Sequence, residues 1–267
     1  MHLKRWLTSI VGLPILLVLL FKGGPVALLA IVLAANLAAL LEYAGIVFHP
    51  GKDRLYTALS IVLGTALIYA VYRGAFDLVF SVLIGNLIIA AGVMVIRYET
   101  QPEAVNRMFR QVAGMVYIPL FLSCLIQIRN DPGGAAWIFL ILCLAFGGDT
   151  SAFYVGTYLG RRKLCPAVSP KKTIEGALGG LVGSLLVASV AKAFLLPSLP
   201  WVAAIPFFLI AAAAGQLGDL FESAIKRSAG IKDSGGLLPG HGGILDRIDG
   251  LLFVAPLTYL FKFYLTG

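Results

Sequence analysis

The chain has 267 residues, 59% of them apolar and 13% charged, with a mean hydropathy of +0.92 and a formal net charge of +8. Almost no polar stretch is long enough to form a separate soluble domain. Charge is expensive in lipid, so the few charges present belong in loops or at a site.

A hydrocarbon core of ~30 Å takes ~20 helical residues to cross. Nine segments meet or approach that length: Trp6–Phe21, Pro25–Phe48, Leu55–Tyr72, Phe76–Ile96, Val112–Ile128, Ala135–Leu159, Ile174–Leu196, Trp201–Ile225 and Gly250–Leu265. Spans in lipid must satisfy their own backbone hydrogen bonds, so helices follow; the alternating segments of a barrel are absent. The fold class is an all-α polytopic membrane protein of about nine transmembrane helices. Lys4 and Arg5 before an apolar run resemble a signal peptide, but no small-x-small cleavage site follows and the second span starts at once. The first span is read as a retained helix.

Lysines and arginines sort by loop. The even-numbered side holds 16 of the 21 and the odd-numbered side 5. Positive residues stay cytoplasmic, which puts the N-terminus inside, the C-terminus outside and the motif-bearing loops in the cytoplasm. The charge thus reflects topology and anionic lipid rather than nucleic acid. Three blocks are expected: residues 1–73 with three helices, 74–130 with two helices joined by a polar loop Arg97–Gln111, and a catalytic four-helix block 131–267. No internal repeat is visible, which counts against an inverted-repeat transporter. Runs of small residues such as Gly176–Ser184 and Ala211–Gly215 let helices approach closely. Cys124, Cys143 and Cys165 are too widely spaced for a metal knuckle and read as buried thiols.

Chemistry concentrates in three places. Asp149 lies about three turns inside the end of the sixth span, where an acid needs a partner or a water-filled cavity. Ser169-Pro-Lys-Lys-Thr-Ile-Glu175 leads into the seventh span; Thr173 can cap that helix, and its first amides with Lys171 and Lys172 offer an anion site. The third runs from Gly218 to Gly250. Asp219, Glu222 and Ser223 share one helix face, and Lys226 and Arg227 follow at the membrane boundary. Residues 230–243 are too rich in glycine for regular helix, so the backbone around His241 can fold tightly and present N–H groups. Asp246 and Asp249 repeat the three-residue spacing as the ninth helix begins. Two carboxylate pairs on adjacent helices can converge on Mg²⁺, which prefers oxygen ligands and keeps positions open for substrate phosphates. An intramembrane relay of a transporter is the competing class; against it, the acids sit towards one half, with Glu42 and Asp77 the only others in spans.

These residues closely resemble the phosphatidate cytidylyltransferase family, the CDP-diacylglycerol synthases. The family signature is met by Ser223, Ile225, Lys226-Arg227, Lys232-Asp233, Gly235, Leu238-Pro239, His241-Gly242-Gly243, Ile244, Asp246-Arg247, Ile248 and Asp249, and the stretches 169–175 and 148–150 resemble its two upstream motifs. The resemblance is specific over about 145–250 and rests on hydropathy over 1–130. It implies transfer of the cytidylyl group of CTP to phosphatidic acid, giving CDP-diacylglycerol and pyrophosphate, in a prokaryotic inner (cell) membrane with the site facing the cytoplasm. A related CTP-dependent enzyme on another lipid, a CDP-archaeol-type synthase or a polyprenol kinase, is the alternative. Asp219 and Asp246 are expected as primary ligands of Mg²⁺, alone or with a second cation, with Asp249 and Asp149 behind them and Glu222 supporting. Lys226, Arg227 and His241 are expected to act on phosphates in catalysis. Ser169, Lys171, Lys172, Thr173, Ser223, Lys232, Gly242, Gly243 and Arg247 are expected to bind substrate. Small-residue runs permit a homodimer, and the resemblance suggests one.

Overall fold

The computed structural model describes residues 12, 14–48, 53–236 and 242–265. Among them, eight helices are long and apolar enough to cross a membrane, and the chain is an all-α polytopic membrane protein. Of the first expected span, residues 14–22 are helical (α1), and residues 6–11 and 13 lie outside the described residues. The chain divides into two compact units, residues 1–130 with 233–245, and residues 131–232 with 246–267.

The first unit contains α2 (Gly24–Val47), α3 (Arg54–Tyr72), α4 (Phe76–Arg97), α5 (Ala104–Met115) and α6 (Phe121–Asn130). A π-helical turn, Val116–Leu120, joins α5 to α6, so the two form one continuous span. Pro119 sits in that turn; lacking an N–H, it cannot make the ordinary α-helical bond, and a single widened turn absorbs the defect. Where lipid is as apolar as a side chain, close contact and interhelical hydrogen bonds hold helices together. A Cβ on Gly64 would stand 3.1 Å from Pro119, and one on Gly114 would stand 2.6 Å from the Tyr43 ring. Gln111 on α5 donates to Asn86 Oδ1 on α4 at 2.7 Å and to Ser60 Oγ on α3 at 3.2 Å.

The expected polar loop Arg97–Gln111 is mostly helix, which begins at Ala104. Its polarity comes from amphipathicity. Arg107 turns inward and donates to Asp53 Oδ1 at 2.9 Å and to Gln101 Oε1 at 2.8 Å, so a charge that reads as a loop residue lies buried on a helix.

The second unit contains α7 (Gly134–Tyr158), a hairpin of β1 (Lys163–Cys165) and β2 (Ser169–Thr173), α8 (Ile174–Leu195), α9 (Trp201–Ser228) and α10 (Leu245–Leu260, its residues from 246 onward), which ends in the π-helical turn Phe261–Leu265. The antiparallel hairpin occupies what reads as a plain polar loop; Lys163 pairs with Thr173 and Cys165 with Ser169. Helices α7 and α8 touch through glycine. A Cβ on Gly179 would stand 2.5 Å from Val155, and one on Gly176 would stand 2.9 Å from the Ala152 carbonyl oxygen. The small-residue run of α8 is thus a packing surface. Phe207 and Phe261 stack with centroids 4.0 Å apart, and Trp137 tilts against Phe261. Lys262 ion-pairs with Asp131 and lies 5.9 Å over Trp137; Lys192 lies 4.1 Å over Trp201. All three cysteines are free.

Candidate functional site

Four elements of the second unit carry the expected residues. Thr173, the last residue of β2, caps α8: its Oγ1 accepts the Gly176 N–H at 3.1 Å. This is the capping that a threonine before an apolar run predicts. Two residues later, Glu175 accepts the backbone N–H of Arg161 at 2.9 Å and of Arg162 at 3.1 Å, fixing the entry to the hairpin against the start of α8. Ser169 is half-buried at the head of β2, and Lys171 is exposed.

Lys172 reaches from β2 to Asp219 on α9, with Nζ 2.5 Å from Oδ2 and both side chains about three-tenths exposed. Ser223, one turn on, donates to Asp219 Oδ1 at 3.5 Å. Asp149 on α7 is exposed and in electrostatic reach of Asp219, Lys172 and Arg247. Asp249 on α10 is buried; its carboxylate accepts the Gly250 N–H at 2.7 Å and feels the charges of Asp219, Glu222 and Asp149. Close backbone packing brings α10 to α9 here, since a Cβ on Gly218 would stand 2.5 Å from the Asp249 carbonyl oxygen. Asp149, Asp219 and Asp249, from three helices, therefore form one group of mutually repelling carboxylates with Lys172 at its edge.

Asp246 belongs to a different arrangement. Lys226 Nζ stands 2.5 Å from Asp246 Oδ1 and 2.6 Å from Glu222 Oε2, and its side chain is 10% exposed while that of Glu222 is 1% exposed. A single ammonium thus joins α9 to α10 between a buried carboxylate, Glu222, and a half-buried one, Asp246. The sequence reading assigns Lys226 to a substrate phosphate; here its contacts are the two acids. Arg227 is exposed and also occupied: Nε donates to the Val168 carbonyl at 3.2 Å and Nη1 to the Ile231 carbonyl at 2.8 Å, clasping the hairpin turn to the end of α9. That end is closed by Gly230 at φ +71°, with Ile231 N–H bonded to the Lys226 carbonyl and Gly230 N–H to the Arg227 carbonyl. Lys232 and Arg247 are exposed.

In the first unit, the segment 233–245 carries the rest. Gly242 has φ +79°, a left-handed conformation that favours glycine. Gly243 is buried. His241 lies outside the described residues. Glu42 on α2, which the sequence reading weighs only as one more acid in a span, accepts the N–H groups of Ile244 at 3.0 Å and Leu245 at 2.8 Å and the hydroxyl of Ser234 at 3.1 Å.

For Mg²⁺ the donor chemistry fits: the group of Asp149, Asp219 and Asp249 supplies carboxylate oxygens, the ligands that hard cation prefers. Among the described residues, no three His, Cys, Asp or Glu close around a single metal position.

Carboxylates and ammonium groups gather here among the helices of an integral-membrane chain. It belongs to the cytidylyltransferase family, whose family model matches residues 3–265. The chain is similar to the phosphatidate cytidylyltransferase of Staphylococcus haemolyticus, 36% identical over 259 residues that cover 95% of this chain and 96% of the relative. Its counterpart in Staphylococcus saprophyticus is 36% identical with the same coverage. The phosphatidate cytidylyltransferase of Bacillus subtilis is 44% identical over 145 residues, a match that spans 54% of this chain and about half the length of that relative.

Proposed function

We propose that the protein transfers the cytidylyl group of CTP to phosphatidic acid, releasing pyrophosphate and forming CDP-diacylglycerol for phospholipid synthesis. The observation that carries this reading is the group of Asp149, Asp219 and Asp249 on three helices of one unit, with Lys172 paired to Asp219 at its edge, in a chain that matches the family from residue 3 to residue 265.

A phosphate oxygen of the lipid attacks the α-phosphorus of CTP. The new P–O bond forms as the bond from that phosphorus to the bridging oxygen breaks, and the electron pair leaves with pyrophosphate. The nucleophile is ionised at neutral pH, so no general base is needed; positioning and charge neutralisation are the work of the site. A divalent cation, when bound by the carboxylates, neutralises the negative charge shared by the two substrates. Lys171, Lys172, Lys232 and Arg247 bind the triphosphate; the signature residues His241, Gly242 and Gly243 are phosphate-binding by resemblance, His241 donating a hydrogen bond without transferring a proton. Ser169, Thr173 and Ser223 orient the polar groups around it. Asp246 keeps Lys226 in place, and Arg227 holds the hairpin that presents Lys171 and Lys172.

Nine spans, an N-terminus in the cytoplasm and a C-terminus outside accord with the distribution of lysine and arginine. This orientation brings CTP to the basic loops of a bacterial cell membrane while the lipid enters sideways from the bilayer. The small-residue faces suit a homodimer. The test is direct: purified protein with CTP, Mg²⁺ and phosphatidic acid yields CDP-diacylglycerol and one equivalent of pyrophosphate. Turnover of a free polyprenol or an archaetidic acid in place of phosphatidic acid would transfer the assignment to that lipid class.

A further inference from the structure

Glu42 is a carboxylate in the body of an apolar helix, α2, and it is half-buried. An acid in that setting is held by donors that make up for lost water. Among the described residues its donors lie in the segment 233–245 of the same unit. Oε1 accepts Ile244 N–H at 3.0 Å; Oε2 accepts Leu245 N–H at 2.8 Å and the Ser234 hydroxyl at 3.1 Å. Leu245 opens α10, so Glu42 satisfies helix-end N–H groups that have no partner within the helix and places its negative charge at the favourable end of the dipole.

Two glycines are shaped by the same carboxylate. A Cβ on Gly235 would lie 2.7 Å from Glu42 Oε1, and one on Gly243 would collide with Oε2 and with Ser234 Oγ. Gly235 and Gly243 are both members of the signature. Their lack of a side chain is what lets the backbone close on Glu42 from two directions, so this is a built seat rather than a passing surface contact.

We propose that Glu42 is a positioning residue for nucleotidyl transfer: it holds Ser234 and Gly243–Leu245 in the conformation that sets the turn at Gly242 for a phosphate of CTP. It does not touch substrate. The two N–H groups it takes are withdrawn from anion binding, which leaves the turn at Gly242, not the start of α10, to meet phosphate. The proposal rests on the CTP reading above.

The test is Glu42→Gln beside Asp77→Asn, a control at an exposed acid of α4. Glutamine keeps the length but turns one acceptor oxygen into an amide that faces N–H donors. Losing hydrogen bonds to a charged acceptor weakens such a seat roughly tenfold to a hundredfold, so the KM for CTP should rise at least about tenfold. The KM for phosphatidic acid should stay within about twofold, since the proposed role of Glu42 is confined to a phosphate of CTP. Where Glu42→Gln does not accumulate as folded protein, Glu42→Asp, which keeps the charge but is one methylene shorter, carries the same comparison. Gly235→Ala adds a cycle: it should impair wild type and have little further effect in Glu42→Ala, because the clash is with the carboxylate. Amide exchange at Ile244 and Leu245 should quicken in Glu42→Gln and not in Asp77→Asn. Unchanged exchange, additive losses in the cycle, or a fall in kcat with both KM values intact would each overturn the proposal. Should wild type make no CDP-diacylglycerol, the functional reading fails separately, and exchange and the stability form of the same cycle still decide whether Glu42 holds the segment.

Discussion

Replacing Lys226 with methionine separates a phosphate-binding lysine from a buried cation. Its Nζ lies 2.6 Å from Glu222 Oε2 and 2.5 Å from Asp246 Oδ1, and the three side chains are 10%, 1% and 11% exposed. The two carboxylate oxygens therefore stand no more than about 5 Å apart, and at an effective dielectric of about 20 their repulsion without the ammonium is roughly 3 kcal/mol. Breaking a buried pair by removing one partner typically destabilises by about 3–5 kcal/mol, in line with that figure. For a chain of this size each kcal/mol moves the melting midpoint by about 2–4 °C, so Lys226→Met should lower Tm by about 6–20 °C in detergent. The double variant Lys226→Met/Glu222→Gln should recover much of that loss, because it removes the repulsion between Glu222 and Asp246. Glu222→Gln alone should be mild, since it leaves a matched Lys226–Asp246 pair. Differential scanning fluorimetry, run beside CTP kinetics, reads all four proteins. A Lys226→Met enzyme with wild-type Tm and only a raised KM for CTP would refute the reasoning and return this lysine to the triphosphate.

Three further outcomes are expected. Asp219→Asn should purify normally and lose about a hundredfold or more in kcat, with excess Mg²⁺ restoring little, because it removes the carboxylate shared by the acid group and Lys172; activity within threefold of wild type at limiting Mg²⁺ would count against a metal at this acid. Lys171→Ala should raise the KM for CTP with kcat retained, and Lys172→Ala should lower kcat, since the first is exposed and the second is tied to Asp219; equal effects on both parameters would remove the distinction. Gly179→Val should prevent accumulation of monodisperse protein, because its Cβ would stand 2.5 Å from Val155 across the α7–α8 contact; a well-behaved variant would show that these helices can separate without harm.

Hydropathy was enough to find eight of the nine expected spans among the described residues, because a membrane fixes both the length and the apolarity of a crossing helix. Local chemistry was equally readable. Thr173 capping α8 and Gly230 closing α9 follow from side-chain type within a few residues of the helix end. The helix from Ala104 was hidden for the opposite reason: Arg107 is polar in sequence and inward in structure, and the partner that licenses this, Asp53, is 54 residues away. The hairpin after α7 has strands of three and five residues, too short for alternation to register, and depends on Glu175 reaching back to Arg161 and Arg162.

The site shows the same division between sign and partner. That residues 219 to 249 bring acids and bases together is plain from the sequence, but every one of those charges has several candidate mates of opposite sign. Sequence spacing puts Glu222 and Lys226 on one helix face at four residues, so that pair was foreseeable. The third member, Asp246, comes from the next helix, and only the close approach of α9 and α10 brings it into reach. Once Lys226 is committed there, Asp246 carries an ammonium rather than standing with Asp219, and the free acids left to group with Asp219 are Asp149 and Asp249. Arg227 is likewise spent on two backbone carbonyls. The positive charges are thus not interchangeable in chemistry: Lys171 and Lys232 keep the exposure that a soluble nucleotide requires, Lys172 shares Asp219, and Lys226 has given up its exposure to join two helices.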